Sequence, residues 1–123
     1  MPMPEMVLVD TSIWVEHLSA GHRGLEALLK EGNVACHELI IGELACGSIK
    51  NRREILPLLQ ALPRVVEAEH DEAMRFIDRH RLIGKGLGFI DVHLMVSALL
   101  SDTALWTLDK VLKAESSRLG IAF

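Results

Sequence analysis

Asp10, Glu43, Asp91 and Asp109 are the residues whose type and setting could do chemistry in this chain. Asp10 ends the apolar run Val7-Leu8-Val9 and is followed by the hydroxyls of Thr11 and Ser12. A short β-branched and aliphatic run of this kind predicts a buried parallel strand that delivers the acid to its carboxyl end, where open α/β sheets bind ligands. Asp, Thr and Ser are also good helix caps, and Asp10 taken alone fits either role. Glu43 has Leu39, Ile40, Cys46 and Gly47 at offsets of three and four residues, with no Lys or Arg among them. A carboxylate on an apolar face is costly to bury unpaired, so it needs a proton, a distant basic partner or a cation. Asp91 repeats the pattern with Leu87, Gly88, Leu94 and Met95 at the same offsets, the competing reading being a favourable charge at a helix N-terminus. Asp109 reads on its own as a helix cap. It joins the set because it follows a strand, Ala104 to Thr107, as Asp10 follows the first one.

Carboxylates that converge without basic partners repel one another, and a divalent cation resolves the conflict. Oxygen-only ligands favour Mg²⁺ or Mn²⁺ over zinc, and a metal-activated water beside a cluster of acids is the usual apparatus for hydrolysing a phosphodiester. Glu54, Glu69, Asp71, Glu72, Asp78 and Glu115 fall on polar faces and read as solvated. His93, two residues after Asp91, reads as a packed histidine; His37 fits a place near the site and a helix start equally. The glycines at 84, 86 and 88 match neither the P-loop nor the dinucleotide fingerprint and predict a flexible connection. Cys36 and Cys46 lack metal-ligand spacing and read as small core residues.

The elements that must position these acids alternate along the chain. Strands are expected at 7–9, 34–36, 64–67, 104–107 and 120–123, and helices at 13–18, 22–31, 38–49, 51–62, 70–83, 90–100 and 109–119. Pro57 must sit near a kink or in a first turn, and the 90–100 helix, apolar nearly all round, is expected to be buried. Short, continuously apolar strands alternating with helices predict a parallel sheet covered on both faces. With 123 residues the chain is expected to be one domain.

Half the residues are apolar and the net charge is −4, which argues against broad electrostatic binding of nucleic acid. Any such binding must use local cations, for which Lys50, Arg52, Arg53, Lys85, Lys110 and Lys113 are the candidates, though any single one reads better as an ordinary solubility residue. With no Tyr, two Trp and three Phe, a binder built on base-stacking platforms is disfavoured. No apolar run approaches the roughly 20 residues of a membrane span, and the opening Met-Pro-Met-Pro-Glu has no signal-peptide pattern, so a cytoplasmic location is expected.

Four segments, Val-Asp10-Thr-Ser-Ile-Trp, Ile-Gly-Glu43-Leu-Ala-Cys-Gly47, Gly-Phe-Ile-Asp91-Val-His-Leu-Met-Val-Ser-Ala and Trp-Thr107-Leu-Asp109-Lys, together resemble the PIN-domain nucleases, most closely the toxins of VapBC toxin–antitoxin pairs. The likeness spans essentially the whole chain and departs after Asp91, where Val92-His93 stand in place of small residues. The resemblance implies a three-layer α/β/α domain with a parallel sheet of about five strands in the order 3-2-1-4-5. It implies that Asp10, Glu43, Asp91 and Asp109 hold Mg²⁺ or Mn²⁺, with Ser12 and Thr107 as supporting hydroxyls. It further implies an endoribonuclease acting on RNA, a homodimer and a cognate antitoxin partner. The other classes that fit are a catalytically silent binding module, a stand-alone RNA-processing nuclease and, more remotely, a phospho-acceptor signalling domain, for which only Asp109-Lys110 is suggestive.

Overall fold

Three parallel strands form the centre of the chain. A computed structural model describes residues 6–123; the opening segment read above for signal-peptide character lies outside the described residues. The elements run β1 Val7–Val9, α1 Thr11–Ala20, α2 Arg23–Lys30, β2 Val34–Ala35, α3 Glu38–Cys46, α4 Arg52–Gln60, α5 His70–Arg79, α6 Phe89–Ser101, β3 Ala104–Trp106 and α7 Lys110–Arg118. The sheet order is β2-β1-β3, with Leu8 in register with Ala35 on one side and Leu105 on the other. All three β1 residues are buried although their side chains alternate between faces, so helices cover both sides.

The expected outer strands are reduced to single parallel bridges, Cys36 with Arg64 and Leu105 with Ala122. These bridges preserve the expected 3-2-1-4-5 order, but only the three central members are strands. The cause at the first edge is visible in the backbone. The β2 segment passes directly into α3, and the Val66 and Ala68 N–H groups donate to the Ser101 and Ser97 hydroxyls of α6 at 2.8 and 3.2 Å instead of to a strand.

Several helix limits differ from the pattern-based ranges. The first helix gains a residue pair at each end, α3 stops at Cys46, and α5 stops at Arg79 with left-handed Arg81 just beyond it. Pro57 lies inside α4, which continues through it to Gln60. The helix expected to be buried is so through its middle, Val92 and Leu94 to Ala98 of α6, while Leu99 and Leu100 near its end are exposed, and α6 ends on left-handed Asp102. Its Leu94 and Met95 join Leu8, Ile13, Leu25, Ile40, Leu105 and Leu112 among the fully buried large side chains, each stabilising the fold by about 2 kcal/mol through removal from water. Cys36 belongs to this core, and burial raises its thiol pKa to about 11. Cys46, expected inside, is exposed at the end of α3.

Candidate metal centre at the carboxyl end of the sheet

The short β1 strand fixes Asp10 at its carboxyl end, where the Asp10 N–H donates to the Trp106 carbonyl of β3 at 2.9 Å. Asp10 is 8% exposed. It occupies the N-cap position of α1, yet its side chain makes no cap bond. Instead its Oδ2 accepts two hydroxyls, Ser12 Oγ at 2.8 Å and Thr107 Oγ1 at 2.7 Å. Those hydroxyls are themselves oriented by backbone: Leu108 N–H donates to Ser12 Oγ and Asp109 N–H to Thr107 Oγ1, both at 3.0 Å. With both hydroxyl protons directed at Asp10, the Ser12–Thr107 approach of 3.4 Å is proximity alone. The supporting positions inferred for Ser12 and Thr107 are therefore occupied as hydrogen-bond donors to one carboxylate oxygen.

Thr11 and Ser12, residue types that cap helices well, do not cap α1: they stand at its first two positions and send their hydroxyls to Glu43 and Asp10. The Thr11 Oγ1 to Glu43 Oε1 bond, 2.8 Å, joins the start of α1 to α3. Glu43 itself is exposed, which corrects the expectation of a carboxylate set in an apolar face. Of its four helical neighbours only Ile40 is buried; Leu39 is half-buried, and Cys46 and Gly47 face solvent.

Asp91 is half-buried in the first turn of α6, and its Oδ2 accepts the Gly88 N–H at 2.9 Å. Asp109 is exposed and caps α7 through Oδ1, which accepts the Leu112 N–H at 2.9 Å. The cap readings of Asp91 and Asp109 are thus realised, and they leave one oxygen of each acid uncommitted. The same holds for Asp10 and Glu43: among the described residues no donor reaches Asp10 Oδ1, Glu43 Oε2, Asp91 Oδ1 or Asp109 Oδ2.

Electrostatics ties the four together. Burial raises the Asp91 pKa above its ordinary value and the Gly88 N–H opposes this, while the charges of Asp10, Asp109 and Glu43 all raise it further. No Lys or Arg balances them: among the described residues the ion pairs are Arg64–Glu38 and Arg118–Glu115. As the side chains stand, no three Asp, Glu, His or Cys among the described residues are close enough to hold an ion together. In donor chemistry the set fits a hard divalent cation, with four carboxylates, four uncommitted oxygens and, among the described residues, no ion pair to an ammonium or guanidinium.

The other candidates divide. Arg52 is exposed but donates to the Ala45 carbonyl, bracing the turn between α3 and α4. Arg53, Lys85 and Lys110 are exposed. The charge of Lys85 acts on Glu115, whose carboxyl the Arg118 hydrogen bond holds below the usual range. Lys50, with Thr11, Val15, Glu43 and Ile49, lines a groove of about 350 Å³ between α1 and the end of α3 that opens beside the acids. His93 packs edge-on against Phe89 at a centroid distance of 4.7 Å, as a packed histidine should. His37 starts α3 and is described below. The Thr11–Glu43 bond escaped the sequence reading because its partners are 32 residues apart; the only local signal was a hydroxyl directly after Asp10.

A sequence model of the PIN domain matches residues 7–114, which include all four acids. The chain belongs to the PIN-domain family. Within that family it is of the VapC type: Ribonuclease VapC32 of Mycobacterium tuberculosis, from strains CDC 1551 / Oshkosh and ATCC 25618 / H37Rv, is 48% identical over 118 residues, covering 95% of this chain and 95% of that protein. The crystal structure of PAE2754 from Pyrobaculum aerophilum aligns with this PIN domain at a TM-score of 0.69, over 98% of this chain and 90% of that one. At 21% identity this second likeness speaks for the fold alone. No helix of the described part of this PIN domain is long and apolar enough to cross a membrane.

Proposed function

We propose that this PIN domain is a Mg²⁺- or Mn²⁺-dependent endoribonuclease and the toxin of a type II toxin–antitoxin pair, active in the cytoplasm. The observation that carries the reading is the set of Asp10, Glu43, Asp91 and Asp109, unpaired with any base and felt together at Asp91. The ribonuclease name of a relative 48% identical over nearly the full length supports RNA as the substrate. Asp10, Glu43, Asp91 and Asp109 would hold the cation through their uncommitted oxygens. The bound ion would activate water for attack on an RNA phosphate and offset charge on that phosphate.

The chain's own residues set up this chemistry. Ser12 and Thr107 fix the Asp10 carboxylate by taking up Oδ2, so that Oδ1 is the oxygen left to a ligand. Thr11 does the same for Glu43. Arg52, Arg53, Lys85 and Lys110 are the proposed contacts to the RNA backbone, and Lys50 borders the groove beside Glu43. A homodimer and a cognate antitoxin are proposed from VapC-type membership.

Purified protein is expected to cleave RNA in Mn²⁺ or Mg²⁺ and to stop in EDTA, with Asp10→Ala and Asp91→Ala inactive; cleavage that persists in either variant contradicts the assignment. A metal-free binding module is the second reading, favoured by the spread of the acids. Its signature is intact RNA and no thermal response of the wild type to Mn²⁺. A phospho-acceptor needs a lysine beside the reacting Asp, and no ion pair to these acids exists among the described residues; treatment with a small phosphodonor is expected to leave no acyl phosphate.

A further inference from the structure

We propose that His37 is a positioning residue that, together with Ser97, locks the helix carrying Glu43 to the helix carrying Asp91. The inference rests on the metal-site reading above and concerns residues outside the acid set.

His37 is 2% exposed and Ser97 0%. Both are polar side chains in an apolar interior, where a hydrogen-bonding atom left unmatched is costly. The Leu39 N–H at the start of α3 donates to His37 Nδ1 at 3.0 Å. Because Nδ1 accepts, the neutral ring carries its proton on Nε2, which faces Ser97 Oγ of α6 at 3.1 Å and donates to it. Ser97 Oγ also accepts the Ala68 N–H at 3.2 Å, from the segment between α4 and α5. One buried imidazole therefore caps α3 and reaches across to α6.

A cap alone does not call for this residue. Ser, Thr, Asp or Asn would satisfy the first turn of α3 from their own short side chains. What histidine adds is a second nitrogen on the far side of the ring, at the distance of the neighbouring helix. Burial lowers the pKa of His37 below its ordinary value, so the neutral tautomer that makes both bonds is the one present at neutral pH.

The link is placed to transmit position. Glu43 lies six residues after His37, and Ser97 six after Asp91, so each acid is about 9 Å along its helix from the bond. No direct hydrogen bond joins the Glu43 and Asp91 side chains among the described residues. The His37–Ser97 bond is the side-chain hydrogen bond that ties their two helices to each other there. Asp10, by contrast, is already joined to the Asp109 backbone N–H through Thr107.

The test is a titration of MnCl₂ against the melting temperature of the wild type and four variants, with apo stability measured in EDTA. His37→Asn keeps a cap but cannot reach α6. Ser97→Ala keeps the histidine cap and removes the acceptor. Ser97→Thr retains the hydroxyl, and Leu25→Val, in the core on α2, supplies a comparable stability loss without touching the link. His37→Asn and Ser97→Ala are each expected to raise the Mn²⁺ midpoint by about 10-fold or more, as losses of ligand-supporting residues do. Ser97→Thr should hold the wild-type midpoint, and Leu25→Val should melt earlier with its midpoint unmoved. Lower melting temperatures with wild-type midpoints in His37→Asn and Ser97→Ala overturn the positioning role and leave the metal site standing. A wild type that does not respond to Mn²⁺ overturns the metal site, and the proposal with it.

Discussion

The strand-borne and helix-borne halves of the acid set are built differently. Asp10, at the end of β1, is wired to the segment that follows β3: two hydroxyls converge on its Oδ2, and the backbone N–H groups of Leu108 and Asp109 donate to them, while the Asp109 carboxylate caps α7. Glu43 and Asp91, on α3 and α6, each accept one donor, the Thr11 hydroxyl and the Gly88 N–H, and meet only through repulsion at Asp91. Adjacent parallel strands fix the first pair to within a hydrogen bond. Two helices packed through side chains fix the second less closely, and there the interior link of His37 and Ser97 acts. The strand half is set by the fold, whereas the helix half would be drawn together by the proposed cation.

The largest effect expected from breaking this contrast is loss of an acid. Asp10→Ala and Asp91→Ala should each reduce metal-dependent RNA cleavage by well over the roughly 100-fold that loss of a ligand-supporting residue costs, read as initial rates in Mn²⁺. The wired half is probed next by Thr107→Val, which keeps shape and removes one donor to Asp10. A 10- to 100-fold loss is expected, and combining it with Ser12→Ala should cost less than the product of the single effects, because both hydroxyls act on one oxygen. Full additivity would show that the two hydroxyls act independently.

Asp91→Asn sharpens the contrast from the helix side and reverses the usual sign of a mutation. The Asp91 carboxyl has its pKa raised in the fold, so ionising it costs stability at neutral pH; as pH falls, the folded state takes up the proton first and stability is gained down to about 3.8. In EDTA at pH 7 the asparagine variant should therefore melt higher than the wild type. The gap should close as pH falls through the raised pKa of Asp91. A variant that melts lower than the wild type throughout contradicts the repulsion argument.

The smallest effect concerns His37. Its folded pKa is lowered, so the unfolded chain takes the proton first; the stability it contributes is whole above about 6.5 and declines as pH falls from there toward the folded value. Glu67, His93 and Glu38 act on the same ring, which makes the comparison of wild type with His37→Asn the proper measurement. The wild type should lose its advantage over this range, and a parallel pH dependence in both proteins would remove His37 from the balance.

What could be read in the sequence was what sequence-local chemistry reports. The run Val7-Leu8-Val9 before an acid marked both the central strand and the candidate residue at its end, because burial on two faces and a charge at the end leave a pattern in adjacent positions. Asp91 and Asp109 were legible as acids at helix starts, and they do cap their helices. Glu43 was picked out for an apolar setting it does not have, since Cys46 and Gly47, at the frayed end of α3, face water. The outer strands were over-read because a short apolar stretch cannot announce whether its neighbour is long enough to pair with it; β2 is two residues long. Thr11–Glu43, Thr107–Asp10 and His37–Ser97 join residues 32, 97 and 60 positions apart, and no periodicity carries such pairings.

The most direct test of the shared cation is the melting curve of the wild type at pH 7 across millimolar MnCl₂. Ion binding to the folded state alone should raise the melting temperature progressively, with about 2.7 kcal/mol of added stability at 100 times the dissociation constant, and the rise should shrink as pH falls and the carboxylates protonate. A melting temperature that stays flat over that range at pH 7 contradicts a metal site made of Asp10, Glu43, Asp91 and Asp109.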